Sequence, residues 1–385
     1  MVPECILIAD DLTGACDTGV QFARYGLASE VWVDLSCTLG WSSNVVAVNT
    51  DSRCDEVTTA KEKIQHFADL CSGVQPEILI KKIDSTLRGN VGQEILATMD
   101  SFHRDCAIIA PAFPAMGRTV KNGTLEWKDG PTAGKIDIRS LLQREGIPTE
   151  HIVVTGNPRA GGETLKSVVA GGASNGRKFL IADCAESADL EDLVSIAHDL
   201  RCQLLWVGAA GLGFALARQF GKPLTHRVPE SKGSSVLFWI GSTNPVTIQQ
   251  RRFLITNSDA VEVAAEPGAL EAARCAIQEN RHLIVSLDRK AADNQSVRAF
   301  LNSLKDLPLA AMVLTGGDTA AQACKALGVH SIQLMDEIAP GMPWGQFRGG
   351  SFDNLPVATK AGGFGDPDAL LHCATVFTSH RRGMA

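Results

Sequence analysis

The sequence predicts an α/β protein of two domains, each a mainly parallel β-sheet flanked by helices. The chain has 385 residues, whereas single hydrophobic cores rarely grow beyond about 250–300 residues. Short apolar runs alternate with stretches of helical spacing, which is typical of βαβ units. A polar stretch with two prolines, residues 221–233, interrupts this alternation. We therefore predict a first domain over residues 1–222, a linker over 223–233 and a second domain over 234–385.

The apolar runs of the first domain are short and continuous, as in parallel strands that are covered on both faces. The predicted strands are Cys5–Ala9, Val31–Val33, Asn44–Val48, Glu77–Ile80, Cys106–Ala110, His151–Val154, Lys178–Asp183 and Gln203–Gly208. After the first strand, helical spacing continues to Tyr25, where Gly26 supplies a stop signal. The dipeptides Asn122-Gly123 and Asp129-Gly130 predict the turns of a hairpin.

The second domain repeats the pattern with glycine-rich junctions. Apolar runs begin at Ser235, Ala311 and Leu355, and each leads into a loop with small residues. The loop around Trp344 is rigid, and this aromatic ring either covers a base or packs in the core.

Composition excludes several classes of protein. The net charge of −7 argues against a nucleic-acid or anionic-membrane partner, because binding of phosphate groups on such surfaces needs a basic field. No apolar run approaches the roughly 20 residues of a membrane-spanning helix. Eleven cysteines without a C-x-x-C pair, in a chain that shows no signal peptide, indicate reduced thiols and a cytoplasmic location. We expect a cytoplasmic enzyme with a small-molecule partner; a homodimer is one alternative for its oligomeric state.

Polar side chains follow three strands of the first domain. Asp10 and Asp11 follow the first strand, Arg53 follows the third, and the stretch Lys81–Asn90 follows the fourth. Because the carboxyl ends of parallel strands meet at one edge of a sheet, we expect these residues to converge there. Arginine and lysine can bind a carboxylate, and aspartate can accept hydrogen bonds from hydroxyl groups.

This set of side chains predicts a binding site for a sugar acid. The candidate substrate-binding residues are Asp10, Asp11, Arg53, Lys81, Lys82, Asp84 and Arg88. Helix capping is the alternative for Asp10 and Asp11, and a surface ion pair is the alternative for Arg53.

Three strand-to-helix junctions of the second domain predict a nucleotide site. They surround Ser242, the turn Gly316-Gly317-Asp318-Thr319, and Gly363. Glycines let the backbone approach a phosphate, and the free N–H groups at a helix start favour anions. None of the junctions fits the P-loop or the G-x-G-x-x-G pattern.

Taken in order, these motifs resemble the four-carbon acid sugar kinase family. The matching blocks are ADDLTGACDTG from Ala9, NTDSR from Asn49, KKIDSTLRGN from Lys81, APAFPAMGR from Ala110, IGSTNPVT from Ile240, LTGGDTA from Leu314, PGMPWG from Pro340 and TKAGGFG from Thr359. The blocks run nearly from end to end of the chain, and several blocks in one order are more specific than any single one.

The resemblance implies an ATP-dependent kinase that phosphorylates the terminal hydroxyl of threonate, erythronate or 3-oxo-tetronate, with ATP and Mg²⁺ in a cleft between the domains. It assigns the sugar acid to Asp11, Arg53 and the loop from Lys81 to Asp84. It assigns ATP to Ser242, to the turn from Gly316 to Thr319, and to Gly363. The metal ligands stay open.

The base that accepts the hydroxyl proton has three candidates. Asp84 is the first and Asp11 the second; Asp318 is the third because it could instead direct Mg²⁺. Two other functions stay open, namely an NAD-dependent sugar-acid dehydrogenase and a non-catalytic sugar-acid sensor. The dehydrogenase should carry G-x-G-x-x-G after a strand, and a sensor would leave the glycine turns without a role.

Overall fold

The computed structural model describes residues 2–35, 41–128, 133–170, 176–198, 204–230, 233–287 and 294–379. The chain divides into two compact units. The first comprises Met1–Ser29 and Thr38–Leu224, and the second comprises Glu30–Cys37 and Thr225–Ala385. Each unit is an α/β structure with a mainly parallel sheet, which confirms the predicted fold class. The domain limits at residues 222 and 233 stay predictions.

The first part of the chain alternates strands and helices. Its strands are β1 (Cys5–Ala9), β2 (Ser29–Trp32), β3 (Val45–Asn49), β4 (Ile78–Lys82), β5 (Cys106–Ala110), β6 (Arg118–Lys121), β7 (Thr124–Trp127), β8 (Gly134–Asp137), β9 (Ile152–Gly156), β10 (Lys178–Ala182) and β11 (Leu204–Gly208). Its helices are α1 (Leu12–Arg24), α2 (Val57–Leu70), α3 (Val91–Ser101), α4 (Ile138–Arg144), α5 (Pro158–Ala170), α6 (Ser187–Ile196) and α7 (Ala210–Phe220). Every strand predicted for the first domain has a counterpart here.

The main sheet of the first unit has the order β3-β1-β4-β11-β5-β10-β9, and its described strand pairs are parallel. Ala9 of β1 pairs with Asn49 of β3 on one side and with Lys82 of β4 on the other. The carboxyl ends of these three strands therefore lie side by side. The sequence predicted that this strand ends at Ile80 and that Lys81 begins the loop. In the structure, Lys81 and Lys82 are the last two residues of β4.

A small antiparallel sheet of β6, β7 and β8 accompanies the main one. The predicted turn Asn122-Gly123 joins β6 to β7, and both residues have a positive φ. Asp183, just after β10, accepts hydrogen bonds from both backbone N–H groups at 2.8 Å and fixes the turn. The second predicted turn, Asp129-Gly130, lies outside the described residues.

The second unit contains the remaining elements. Its strands are β12 (Ser235–Ile240), β13 (Val261–Ala264), β14 (Leu283–Ser286), β15 (Leu309–Thr315), β16 (Ser331–Ala339), β17 (Met342–Arg348) and β18 (Pro356–Lys360). Its helices are α8 (Pro245–Asn257), α9 (Leu270–Gln278), α10 (Asn294–Asn302), α11 (Gly317–Leu327) and α12 (Ala369–Thr378).

The sheet of this unit runs β13-β14-β12-β15-β18-β17-β16, with β17 antiparallel to both of its neighbours. Strand β2, most of which belongs to this unit, lies next to β16. The N–H of Val33 donates to the carbonyl of His330 at 3.0 Å. The second unit therefore takes one strand from the first fifty residues of the chain.

Trp344 is buried in the core of the second unit and packs edge-on against Phe377, with ring centroids 6.5 Å apart. This tryptophan is a packing residue and not a cover for a base. Within the described residues, no helix combines the length and the apolar character needed to cross a membrane. The nine described cysteines are free thiols.

Candidate functional site

The strand-end cluster of the first unit is centred on Arg53. Its guanidinium donates to both oxygens of Asp10, each at 2.8 Å, and to Oδ2 of Asp11 at 2.7 Å. Burial lowers the pKa of Arg53, but the charges of Asp11 and Asp10 outweigh burial and hold the pKa above its usual range. Arg53 is thus a permanent cation that ties the end of β3 to the end of β1.

Asp84 forms the second part of the cluster. It accepts two hydrogen bonds from the guanidinium of Arg88, at 2.8 and 2.7 Å, and one from the hydroxyl of Thr86 at 2.5 Å. Nη1 of Arg53 lies 3.5 Å from its Oδ1. Burial raises the pKa of Asp84, but the hydrogen bond and charge of Arg88 and the charge of Arg53 outweigh burial, so that the pKa lies well below its usual range. Asp84 is therefore ionised in the free protein at neutral pH.

The two adjacent lysines of β4 have different surroundings, because neighbouring side chains of a strand point to opposite faces of the sheet. Nζ of Lys81 lies 2.6 Å from Oε2 of Glu94, and the lysine side chain is fully buried (0% exposed). Ser52 donates to the other oxygen of Glu94 at 2.8 Å. This lysine is therefore paired with an internal carboxylate and is shielded from solvent.

Lys82 lies on the other face, over the first turn of α1. It is 4% exposed, and the acceptor recorded for its Nζ among the described residues is the carbonyl of Ile83 at 2.9 Å. A methyl group added to Gly14 would lie 2.8 Å from this Nζ, so a glycine is needed for the ammonium to reach the helix start. An ammonium has three donors. Lys82 therefore keeps donors for an anionic or hydroxyl group.

The helix starts around the cluster are already capped. Asp11 accepts from the N–H of Gly14 at 2.8 Å, which confirms the capping role for this residue but gives no such role to Asp10. At the start of α3, the N–H of Gly92 donates to Glu145 at 2.6 Å. Side chains of the chain itself therefore already occupy the N–H groups of Gly14 and Gly92.

Sequence reasoning placed Ser52 beside Arg53 at a strand end but missed Glu94 and Glu145. A buried lysine in a strand needs a counter-charge, and this requirement could have indicated Glu94 in the next helix. Glu145 lies 53 residues after Gly92, the residue it contacts, and no sequence pattern indicates this contact.

Three neighbouring strands of the second unit bring its glycine loops together. Ile240 pairs with Thr315, and Thr315 pairs with Lys360, so the loops after β12, β15 and β18 lie side by side. A methyl group on Gly362 would lie 2.3 Å from Oγ of Ser242. Gly316 has a φ of 92° and donates its N–H to the carbonyl of Lys360 at 2.9 Å. Backbone therefore approaches backbone at this edge.

The predicted nucleotide residues lie on these loops. Thr319 is buried beneath Gly241, where a methyl group would lie 2.3 Å from its Oγ1. Gly317 and Asp318 form the first turn of α11, and Asp318 is exposed. Gly363 is also exposed. A methyl group added to Gly363 would lie 3.4 Å from Nδ2 of Asn244. Asn244 itself caps α8 through the N–H of Val246.

The described residues contain no group of three or more histidine, cysteine, aspartate or glutamate side chains arranged to hold a metal ion. Magnesium in kinases is held largely by substrate phosphates together with one or two carboxylates. Asp318, beside the glycine turn, is one exposed carboxylate near these loops, and Asp366 and Asp368 after β18 are also exposed.

Two family models match the chain. A sugar-binding N-terminal domain matches residues 5–216, and a nucleotide-binding C-terminal domain matches residues 237–370. They match the parts of the chain that carry the strand-end cluster and the glycine loops, respectively.

Three relatives of similar length align with this chain over nearly all of its residues. A D-threonate kinase of Salmonella typhimurium is 30% identical, over 95% of this chain and 96% of its own. A D-erythronate kinase of Heliobacterium modesticaldum is 27% identical, over 96% and 95%. A 3-oxo-tetronate kinase of Haemophilus influenzae is 24% identical, over 96% and 99%. A crystal structure of a Haemophilus influenzae protein, 21% identical, superposes with a TM-score of 0.70 over 98% of this chain and 99% of its own, which supports the fold.

Proposed function

The chain belongs to the four-carbon acid sugar kinase family, and from this premise we propose that it transfers the γ-phosphate of ATP to the terminal hydroxyl of a four-carbon sugar acid. The substrates named for its relatives are D-threonate, D-erythronate and 3-oxo-tetronate. The observation that carries the proposal is the presence of two unlike strand-end sites in one chain. One offers charged side chains suited to hydroxyl and carboxylate groups, and the other offers glycine loops suited to phosphates.

The charges of the first site suit a sugar acid. Three carboxylates, of Asp10, Asp11 and Asp84, are matched by three cations, of Arg53, Arg88 and Lys82. A site with no large excess of charge can bind hydroxyl groups through its carboxylates and one carboxylate through its cations. In this proposal Lys82 and the exposed Arg88 bind the carboxylate, while Lys81 holds Glu94 and makes no contact with the substrate.

Phosphoryl transfer depends more on positioning and charge neutralisation than on a strong base. We assign Asp84 the role of accepting the proton of the attacking hydroxyl. The low pKa of Asp84 keeps it ionised as a hydrogen-bond acceptor. The hydroxyl oxygen forms the new bond to the γ-phosphorus, ADP leaves, and the proton passes to the carboxylate. Asp11 is the second candidate, although it already caps α1.

ATP is assigned to the loops of Ser242, Gly316–Thr319 and Gly363, whose N–H groups can face phosphate oxygens. Mg²⁺, when bound to those phosphates, neutralises charge that builds up during transfer. Asp318 is our candidate for the carboxylate that orients it. The relatives lend no support to the dehydrogenase and sensor alternatives. The homodimer and the cytoplasmic location stay predictions.

The test is ATP consumption by the purified full chain with Mg²⁺ and a panel of D- and L-threonate, D- and L-erythronate and 3-oxo-tetronates. Turnover with one acid and not with its epimers supports the proposal and identifies the substrate. Absence of both turnover and ATP binding would overturn it.

A further inference from the structure

Lys360, the last residue of β18, points into the protein and away from solvent (0% exposed). Its Nζ lies 2.9 Å from the carbonyl oxygens of Ala361 and Phe364. The hydroxyl oxygen of Thr247 and the carbonyl oxygen of Gly362 lie 3.4 and 3.5 Å away. Four oxygen atoms therefore surround one buried ammonium group.

Gln250 continues this arrangement on the same face of α8, three residues after Thr247. Its Nε2 lies between 2.8 and 3.0 Å from the carbonyl oxygens of Phe364, Gly365 and Asp366. Lys360 and Gln250 together draw the carbonyl groups of the loop after β18 towards the interior.

A trans peptide holds its C=O and the following N–H in opposite directions. If the carbonyls of Ala361, Gly362 and Phe364 point inward, the N–H groups of Gly362, Gly363 and Gly365 point outward. Among the described residues, no acceptor is recorded for these three N–H groups. Gly363 is exposed. Successive outward N–H groups form a concave surface that binds anions.

The ammonium of Lys360 also lacks a carboxylate partner among the described residues. The titratable side chain that faces it is Cys373 of α12, whose pKa is raised by burial to about 12, so that it remains a neutral thiol. Burial in turn lowers the pKa of Lys360 to about 7. A buried cation without a counter-charge is costly, and a ligand anion at the neighbouring loop would supply that charge.

We propose, on the basis of the kinase function proposed above, that Lys360 is a positioning residue for the nucleotide phosphates: its ammonium orients the loop from Ala361 to Phe364 so that the loop N–H groups face the phosphates. The lysine acts through the loop and does not itself touch the nucleotide. In the second unit it supplies one positive charge next to this loop.

Nucleotide binding should change the protonation of Lys360. A bound phosphate favours the charged form of Lys360 and raises its pKa. Above pH 7 the free protein holds this lysine mostly neutral, so nucleotide binding should take up a proton and should weaken as the pH rises. A lysine that merely fills space would show neither effect.

The experiment is calorimetric titration of ADP into the full chain, for wild type, Lys360→Met and the exposed-lysine control Lys305→Met. Runs at pH 8 in buffers of different ionisation enthalpy give the proton uptake. Lys360→Met should raise the Kd for ADP about tenfold or more, because charge-assisted hydrogen bonds are lost, and should abolish the uptake. Lys305→Met should match wild type. In turnover assays, KM for ATP should rise while kcat at saturating ATP changes little.

A second variant provides rescue. Lys360→Ala should recover ADP affinity when ammonium or methylammonium chloride is added, whereas sodium chloride at equal ionic strength should not restore it. Unchanged ADP affinity and unchanged proton uptake in Lys360→Met would overturn the inference. If that variant does not fold, absence of proton uptake by wild type at pH 8 overturns it equally. Failure of wild type to phosphorylate any sugar acid, with Lys360-dependent ADP binding intact, would count against the proposed function and not against this inference.

Discussion

The two units bind their proposed ligands by different means. In the first unit, charged side chains that lock one another in place form the strand-end cluster, with Arg53 between Asp10 and Asp11. In the second unit, the proposed site consists of glycine loops with backbone N–H groups. Side-chain recognition can distinguish the stereochemistry of hydroxyl groups, whereas backbone recognition suits phosphates that are common to all nucleotides. We infer that differences in substrate choice within the family arise in the first unit.

Two buried lysines show the same contrast. Nζ of Lys81 lies 2.6 Å from a carboxylate oxygen of Glu94. Nζ of Lys360 is surrounded by neutral oxygen atoms. Both are fully buried near the end of a parallel strand. A lysine with an internal carboxylate is satisfied by the fold alone, whereas one without it requires a charge from a ligand.

The strongest test of the side-chain site is Asp84→Asn. Loss of the proton acceptor should lower kcat by about 10²–10⁴-fold. The Kd for ADP should not change, since the residue lies in the other unit. Steady-state kinetics and calorimetry measure the two effects. A rate near that of wild type would remove Asp84 from this role and leave Asp11 as the next residue to test.

Lys81→Met and Lys360→Met should differ in their effect on the free energy of unfolding. Lys81→Met leaves Glu94 as an uncompensated buried charge, which costs about 3–5 kcal/mol of unfolding free energy. The double variant Lys81→Met/Glu94→Leu should recover part of this loss, because the isolated charge is gone. Lys360→Met, which leaves no isolated charge, should be as stable as wild type or more stable at pH 7. Urea denaturation at pH 7 measures all three; equal losses for both single variants would contradict the distinction.

Lys360 should also make the stability of the chain depend on pH. The pKa of Lys360 is about 7 in the folded chain, against 10.5 as its ordinary value. Between these values the unfolded chain binds more protons, so the stability of wild type should rise with pH relative to Lys360→Met, by at most about 1.4 kcal/mol per pH unit. ADP affinity should fall over the same range. Denaturation curves at pH 7, 8 and 9 give the difference, and a constant gap between the two proteins would contradict it.

The smallest effect is expected for Arg88→Met. The side chain is 68% exposed, but it donates two hydrogen bonds to Asp84, so its loss should also lower the free energy of unfolding. KM for the sugar acid should rise about tenfold, since a charge-assisted contact with the substrate carboxylate is lost. Arg252→Met, which removes an exposed arginine of the second unit, is the matched control. An unchanged KM would assign the carboxylate to Lys82 alone.

Much of the fold follows from patterns in the sequence. Continuous apolar runs such as Cys5–Ala9 indicate buried parallel strands, and parallel strands bring Asp10, Arg53 and Asp84 to one edge. Which strands pair with one another was harder to predict from the sequence. The short strand β2 carries no signal that it joins β16, because strand patterns encode burial and not the identity of a neighbour.

The orientation of single side chains was also beyond the sequence. Lys81 and Lys82 look equivalent until the strand is known to include both, and the alternation of side chains then separates them. Lys360 belongs to the run TKAGGFG of a predicted nucleotide loop, but the strand ends on it and its side chain is fully buried. Caps such as Glu145 depend on contacts between distant parts of the chain.

The central claim is that this chain phosphorylates the terminal hydroxyl of a four-carbon sugar acid. The most direct measurement is the proton-coupled ³¹P NMR spectrum of the product formed from ATP and the acid that supports turnover. A phosphate ester on the terminal CH₂ carbon splits into a triplet, and this is the predicted result. A doublet, from an ester on a CH carbon, or the absence of any new ester signal across the whole panel, would contradict it.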